Sequence, residues 1–209
     1  MWAKHKQQSG FTIVELLIVV VVIAILAAIT VVAYNGIQQR AQNTQRVSAA
    51  KEWQKLITAY VSTNGSYANT LTPYQDCLGA GYETNWDANP NEDCGWSNNI
   101  KHPNFSYNAA YATLANLPSY PKLRQTLGGG IFVAGISIRA SDTVNIGGSD
   151  KPNYPTLLYW LDGNNQDCVL RPIVLYVGSG YTTSPTAINS GNDGNLTQCR
   201  VALPDPAGL

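Results

Sequence analysis

One acidic residue stands where acids are rare. Glu15 is the only charge in residues 11–33 (FTIVELLIVVVVIAILAAITVVA), a run of 23 positions. A carboxylate inside a bilayer costs of order 2–3 kcal/mol even on permissive insertion scales, and such a residue is functional by default. Opposite charges buried among helices are tolerable when paired, and removing one partner costs about 3–5 kcal/mol. Glu15 therefore calls for a cation. The second set that could do chemistry is Cys77, Cys94, Cys168 and Cys199. An even count in a loop-rich, exported segment reads as two disulfides, with three connectivities open. A zinc site would want CxxC pairs or suitably spaced histidines, and neither occurs.

Little else is arranged for catalysis. His5 lies in the first ten residues, and His102, in Lys101-His102-Pro103, has no base or nucleophile motif beside it. Gly128-Gly129-Gly130 lacks the Lys-Ser/Thr of a phosphate loop and precedes a strand, so it reads as a hinge or turn. Asp162, Asn164 and Asp167 could offer oxygens to calcium, as could the stretch 191–195 (GNDGN), but neither fits the EF-hand spacing. Turn chemistry accounts for both. Asn64, Asn104 and Asn195 open glycosylation sequons and mark surface only. The expectation is no enzymatic activity, no resident metal, and no cofactor beyond that weak calcium option.

The element that must position Glu15 follows from hydropathy. Residues 1–10 (MWAKHKQQSG) are short, polar and basic. The apolar run behind them is roughly 34 Å long as a helix, enough to cross a bilayer's hydrocarbon. A cleaved secretory signal would have an apolar stretch of only about 7–15 residues and a small-residue cut site. Lys4 and Lys6 precede the span and no Lys or Arg follows until Arg40, which puts the N-terminus in the cytoplasm. Past Ala33 the pattern turns amphipathic without a break. Tyr34, Ile37, Ala41, Ala49, Trp53, Leu56, Ile57 and Tyr60 form an apolar stripe; Gln38, Arg40, Gln42, Gln45, Arg46, Lys51 and Lys55 form a wet basic face. No proline precedes Pro73, and Asn64-Gly65 supplies a stop. One helix over about 11–62 is predicted, its second half needing a head to cover one face.

The neighbours of Glu15 carry a resemblance. Ser9-Gly10-Phe11-Thr12-Ile13-Val14-Glu15-Leu16-Leu17-Ile18-Val19 closely resembles the prepilin signature of the type IV pilins and of the pseudopilins of type II secretion and competence systems. The resemblance implies that residues 1–10 are a leader cut by prepilin peptidase between Gly10 and Phe11, and that Phe11 becomes an N-methylated terminus. It implies that Glu15 pairs with the Phe11 ammonium of a neighbouring subunit during assembly. Family members often carry a helix-disrupting proline midway along the span. Here that place is Val31-Val32-Ala33, and Gly36 is the weak spot, at about 1 kcal/mol relative to Ala.

Residues 63–209 hold all 11 prolines. A long ordered connection over 63–128 is expected, with a short helix near 106–117 ended by Pro118. Strands are expected at 130–139, 156–161, 169–177 and 196–203. Asp162-Gly163-Asn164-Asn165 should join the second and third as an antiparallel hairpin, and Pro172 marks an edge or bulge. The fold class is then α+β: a long N-terminal helix whose C-terminal half packs on a small antiparallel head at 63–209, as in pilins. Among the connectivities, Cys77–Cys94 with Cys168–Cys199 is favoured. The second would enclose the C-terminal loop, as the disulfide-bounded region of pilins does.

Charge narrows the function. The 209 residues carry 13 Lys+Arg and 13 Asp+Glu, and charged residues are 12%, too few and too balanced for a general nucleic-acid binder. Residues 1–62 hold 6 basic and 2 acidic side chains, leaving the head acidic. The leading expectation is a type IV pilin: a single-pass protein of the cytoplasmic membrane, polymerised into an extracellular pilus for adhesion, twitching motility or DNA uptake. Its partners would be other pilin subunits, prepilin peptidase and methylase, an assembly ATPase, a membrane platform protein, and lipids before assembly. The alternatives are a pseudopilin or a minor tip pilin holding DNA or a host surface. Generic DNA capture would need Lys122, Arg124, Arg139 and Lys151 to cluster.

Overall fold

The computed structural model describes residues 11–67, 75–78, 118–121, 123–127, 130–139, 143–177 and 180–205. They divide into two compact units, with the boundary between Ala41 and Gln42. One helix, α1 (Ile13–Asn64), runs through that boundary without interruption. Its first half is rich in Val and Ile, poor helix formers in water. In hydrocarbon the preference reverses, because a helix satisfies every backbone group within its own segment. α1 ends where Asn64 donates to the Tyr60 carbonyl (2.9 Å) and Gly65, at φ 67°, donates to Val61 (2.8 Å). That is a left-handed glycine cap.

Among the described residues eleven strands follow: β1 (Gln75–Cys77), β2 (Leu123–Leu127), β3 (Gly130–Ala134), β4 (Ile136–Arg139), β5 (Val144–Ile146), β6 (Ser149–Lys151), β7 (Thr156–Asp162), β8 (Ile173–Val177), β9 (Gly180–Ser184), β10 (Gly191–Asp193) and β11 (Leu196–Ala202). Nine form one sheet in the order β1-β4-β7-β11-β8-β9-β5-β6, with β10 also on β11; β2 and β3 make a separate hairpin. The sheet is thus larger than expected, and it is mixed rather than antiparallel, since β5 and β9 run parallel.

The strand expectations fare unevenly. The segment 156–161 becomes β7, and 196–203 becomes β11. The segment 130–139 splits at Gly135 into β3 and β4, which belong to different sheets. The segment 169–177 keeps only Ile173–Val177 as strand, and the Arg171–Pro172 bond before it is cis. The predicted β7–β8 hairpin does not form. The turn exists, with Gly163 at φ 91° and Asn165 at φ 56°, but β11 pairs with β7 over seven residues and lies between it and β8. A turn signal fixes a change of direction, whereas the partner is chosen by which apolar strand best fills the neighbouring place. The predicted helix at 106–117 lies outside the described residues.

The core lies between α1 and one face of the sheet. Ala50, Trp53, Ile57 and Val61 are fully buried against Ile136, Ile138, Leu157, Tyr159, Ile173, Cys199 and Val201. Their three- and four-residue spacing is that of a single helical stripe. The other face is covered as well: Leu158, Trp160 and Leu196 pack with Leu123, and Val144, Tyr154, Val174 and Ala202 form a further cluster. β7 is therefore buried on both sides, which is why its sequence TLLYWLD reads as a continuous run instead of an alternation. Arg46, expected on the wet face, is only 2% exposed, whereas Tyr34 and Ile37, expected on the packed stripe, are exposed.

Candidate functional site

The site begins with apolar side chains that stand exposed among the described residues. Ile13, Val14, Leu16, Leu17, Ile18, Ile23, Leu26 and Ile29 are each more than half exposed. A bare stripe of that length, apolar all round, is a surface built for lipid or for other helices.

At its start the chain makes a reciprocal cap. The Thr12 amide and the Thr12 hydroxyl each donate to Glu15 Oε2 at 2.8 Å, and the Glu15 amide donates to Thr12 Oγ1 at 3.2 Å. This is a capping box, in which residues three apart satisfy each other's orphan donors. A helical side chain leans towards the N-terminus, so the carboxylate is held at the head of the helix, one residue from Phe11. There it also meets the positive end of the helix dipole. Among the described residues no cation pairs with it. Thr12 was missed in the sequence, although a Ser/Thr-x-x-Glu spacing before an apolar run is a readable signal.

A second polar constellation sits where burial begins. Asn43 donates to the Asp162 carbonyl (2.8 Å) and accepts from the Asp162 amide (2.9 Å) and from Arg46 (3.0 Å). Arg46 donates further to the Pro121 carbonyl (2.8 Å) and to Gln42 (3.3 Å). Burial lowers the Arg46 pKa from its ordinary value, while Tyr120 and Asp162 oppose that. Arg46 is therefore part of a clamp that sets the register of α1 against the end of β7.

The remaining expected residues are scattered. A disulfide joins Cys168 to Cys199, with Cα atoms 5.5 Å apart. Cys94 lies outside the described residues, as does the side chain of Cys77, so a Cys77–Cys94 bridge falls there too. Asp167 accepts from the Val169 amide (2.9 Å) and pairs with Arg171 (3.2 Å); these contacts lower its pKa, the amide bond most. Asn165 and Asn192 bond each other twice at 3.0 Å. Asp167 Oδ1 and the side-chain amides of Asn165 and Asn192 are thus engaged in loop structure, and the described residues hold no cluster of three or more His, Cys, Asp or Glu. Lys151 pairs with Asp205 at 3.4 Å. His102, Asn104, Lys122 and the side chain of Arg124 lie outside the described residues.

Residues 5–31 match the family model described as the prokaryotic N-terminal methylation motif, so the chain carries a prepilin-type N-terminus. It is 34% identical over 65 residues to a type IV major pilin protein, PilE1, of Neisseria gonorrhoeae, a match covering 31% of this chain and 39% of that one. A fimbrial protein of Neisseria meningitidis is 34% identical over 65 residues, covering 31% and 38%. A fimbrial protein of Pseudomonas aeruginosa is 35% identical over 68 residues, covering 32% and 44%. The chain spans well under half the length of these relatives. No solved structure matches.

Proposed function

We propose that this chain is a type IV pilin, stored in the cytoplasmic membrane by the first half of α1 and polymerised through it into a filament. The observation that carries the reading is the methylation motif over residues 5–31, running into a helix whose apolar half is exposed among the described residues. In this reading prepilin peptidase cuts after Gly10 and Phe11 is methylated. The new ammonium at Phe11 is the cation that Glu15 needs, supplied by a neighbouring subunit. The capping box supports that role, because it aims the carboxylate at the helix end where such an amine arrives. The head stays outside, and the energy for assembly comes from a partner ATPase acting through a membrane platform protein.

Shed filaments test the reading. The chain is expected as their abundant component, starting at methylated Phe11. Trace presence would indicate a minor pilin, and absence of extracellular fibres a pseudopilin. Glu15→Val should be inserted and processed but assemble poorly, read as membrane-retained subunit with few filaments. Normal filament yield from that variant would sink the pairing role.

A further inference from the structure

Beyond the bare half of α1, the head presents a knob. Val169 is 58% exposed and Ile188 51%, and the two are neighbours because the Cys168 amide donates to the Ile188 carbonyl (2.8 Å). Val169 sits at φ 64°, at the apex of a turn closed by the Leu170 amide on the Cys168 carbonyl (2.6 Å). A three-residue turn of that sign is rare and strained, and a β-branched residue in it is a genuine outlier. The surroundings hold it there. Cys168 is tied to Cys199, its carbonyl takes the Tyr159 hydroxyl, and the Asp167 carboxylate accepts the Val169 amide. Strain that the surroundings over-determine points to use. Asp167 and Arg171 place one charge of each sign beside the knob.

The same head also carries a socket. A cleft of about 260 Å³ is lined by Tyr67, Lys151, Pro152, Tyr154, Pro155 and Asp205. Aromatic and proline rings line it together with the Lys151–Asp205 pair. The two features involve different residues: the knob is tied to β11 at Cys199, and the socket is lined by Asp205, beyond the C-terminal end of β11. A patch and a complementary pocket at different places on one molecule make a heterologous contact, which gives a ring if the rotation closes and an open helical filament if it does not.

We propose that successive copies of this chain, given the filament reading above, dock by inserting the Val169–Ile188 knob of one head into the Tyr67–Tyr154 cleft of the next. The charges match in that arrangement: Asp167 meets Lys151 of the next copy, and Arg171 meets its Asp205. Such rim charges set register more than affinity.

Zero-length carbodiimide coupling of wild-type filaments tests the contact directly. A Lys151–Asp167 crosslink is expected in filaments and not in detergent-solubilised monomer, and its appearance in monomer as well counts against the contact. Lys151–Asp205 is the internal control. Filaments that yield only that control, or that link Lys151 to a different protein, overturn the proposal. Failure to recover any filament takes down the filament reading itself, and this one with it. Val169→Gly separates fold from contact, since glycine accepts the positive φ without penalty. Monomer melting should hold or rise, while the filament-to-membrane ratio falls about tenfold, the effect of losing one buried aliphatic side chain. An unchanged ratio counts against the knob.

Discussion

Asn43 shows how one amide can set the register of a long helix. Its side chain donates to one backbone group of Asp162 and accepts from the other, while also receiving Arg46. Asn43→Ala would leave these groups without their partners and should lower head stability by about 2 kcal/mol. In the detergent-solubilised chain that should appear as a drop of several degrees in the midpoint of thermal unfolding followed by circular dichroism. The sequence made some residues legible and hid others. Glu15 stood out because a single charge interrupts 23 apolar positions. Arg46 did not. Amphipathic spacing places a cation at the border of a stripe, but not the Pro121 carbonyl, 75 residues away, that draws it inside.

Among the elements, those that announce themselves locally were readable. α1 follows from hydropathy, the absence of proline and the Asn64-Gly65 stop, and β7 from an apolar run bounded by turn residues. Pairing was not readable, because it depends on competition between distant strands. The turn after β7 signalled a hairpin with β8, yet β11 takes the place between them and makes seven paired positions on β7. The Cys168–Cys199 bridge belongs to the same scale: it ties the loop before β8 to the middle of β11, across a separation of 31 residues. Replacing both cysteines with alanine should cost about 3–4 kcal/mol, from the freedom a loop of that length regains in the unfolded chain. Denaturant titration is the check, with the midpoint expected to fall and the slope to rise, since the unfolded chain without the crosslink is less compact. Both half-cystines are fully buried, so reductant should act on the native head only as fast as it opens.

At the scale of the whole molecule, neutrality is an average of a basic first part and an acidic head, and the pH response of that head comes from buried phenols. Burial raises the Tyr159 pKa, outweighing its contacts, and raises that of Tyr154, with Asp205 adding to the shift. A pKa raised on folding gives stability that is complete below the unfolded value, about 10 for tyrosine, and lost as pH rises through the folded value. Denaturant midpoints should therefore be flat from neutrality to about pH 10 and then fall. Tyrosinate absorbance should show Tyr159 ionising only with unfolding, and Tyr159→Phe should flatten the alkaline limb. Asp167, with its pKa lowered, acts at the opposite end: its stabilisation is present above about pH 4 and lost as pH falls through the depressed value. The place of β11 has a further consequence. It follows every other described strand of the sheet in the chain, yet it stands at the sheet's centre, bonded to β7, β8 and β10. A chain emerging N-terminus first, from a ribosome or a translocation channel, cannot close this sheet strand by strand. The gap between β7 and β8 stays open until residues 196–202 arrive, so the sheet closes only when the last of its described strands is in place.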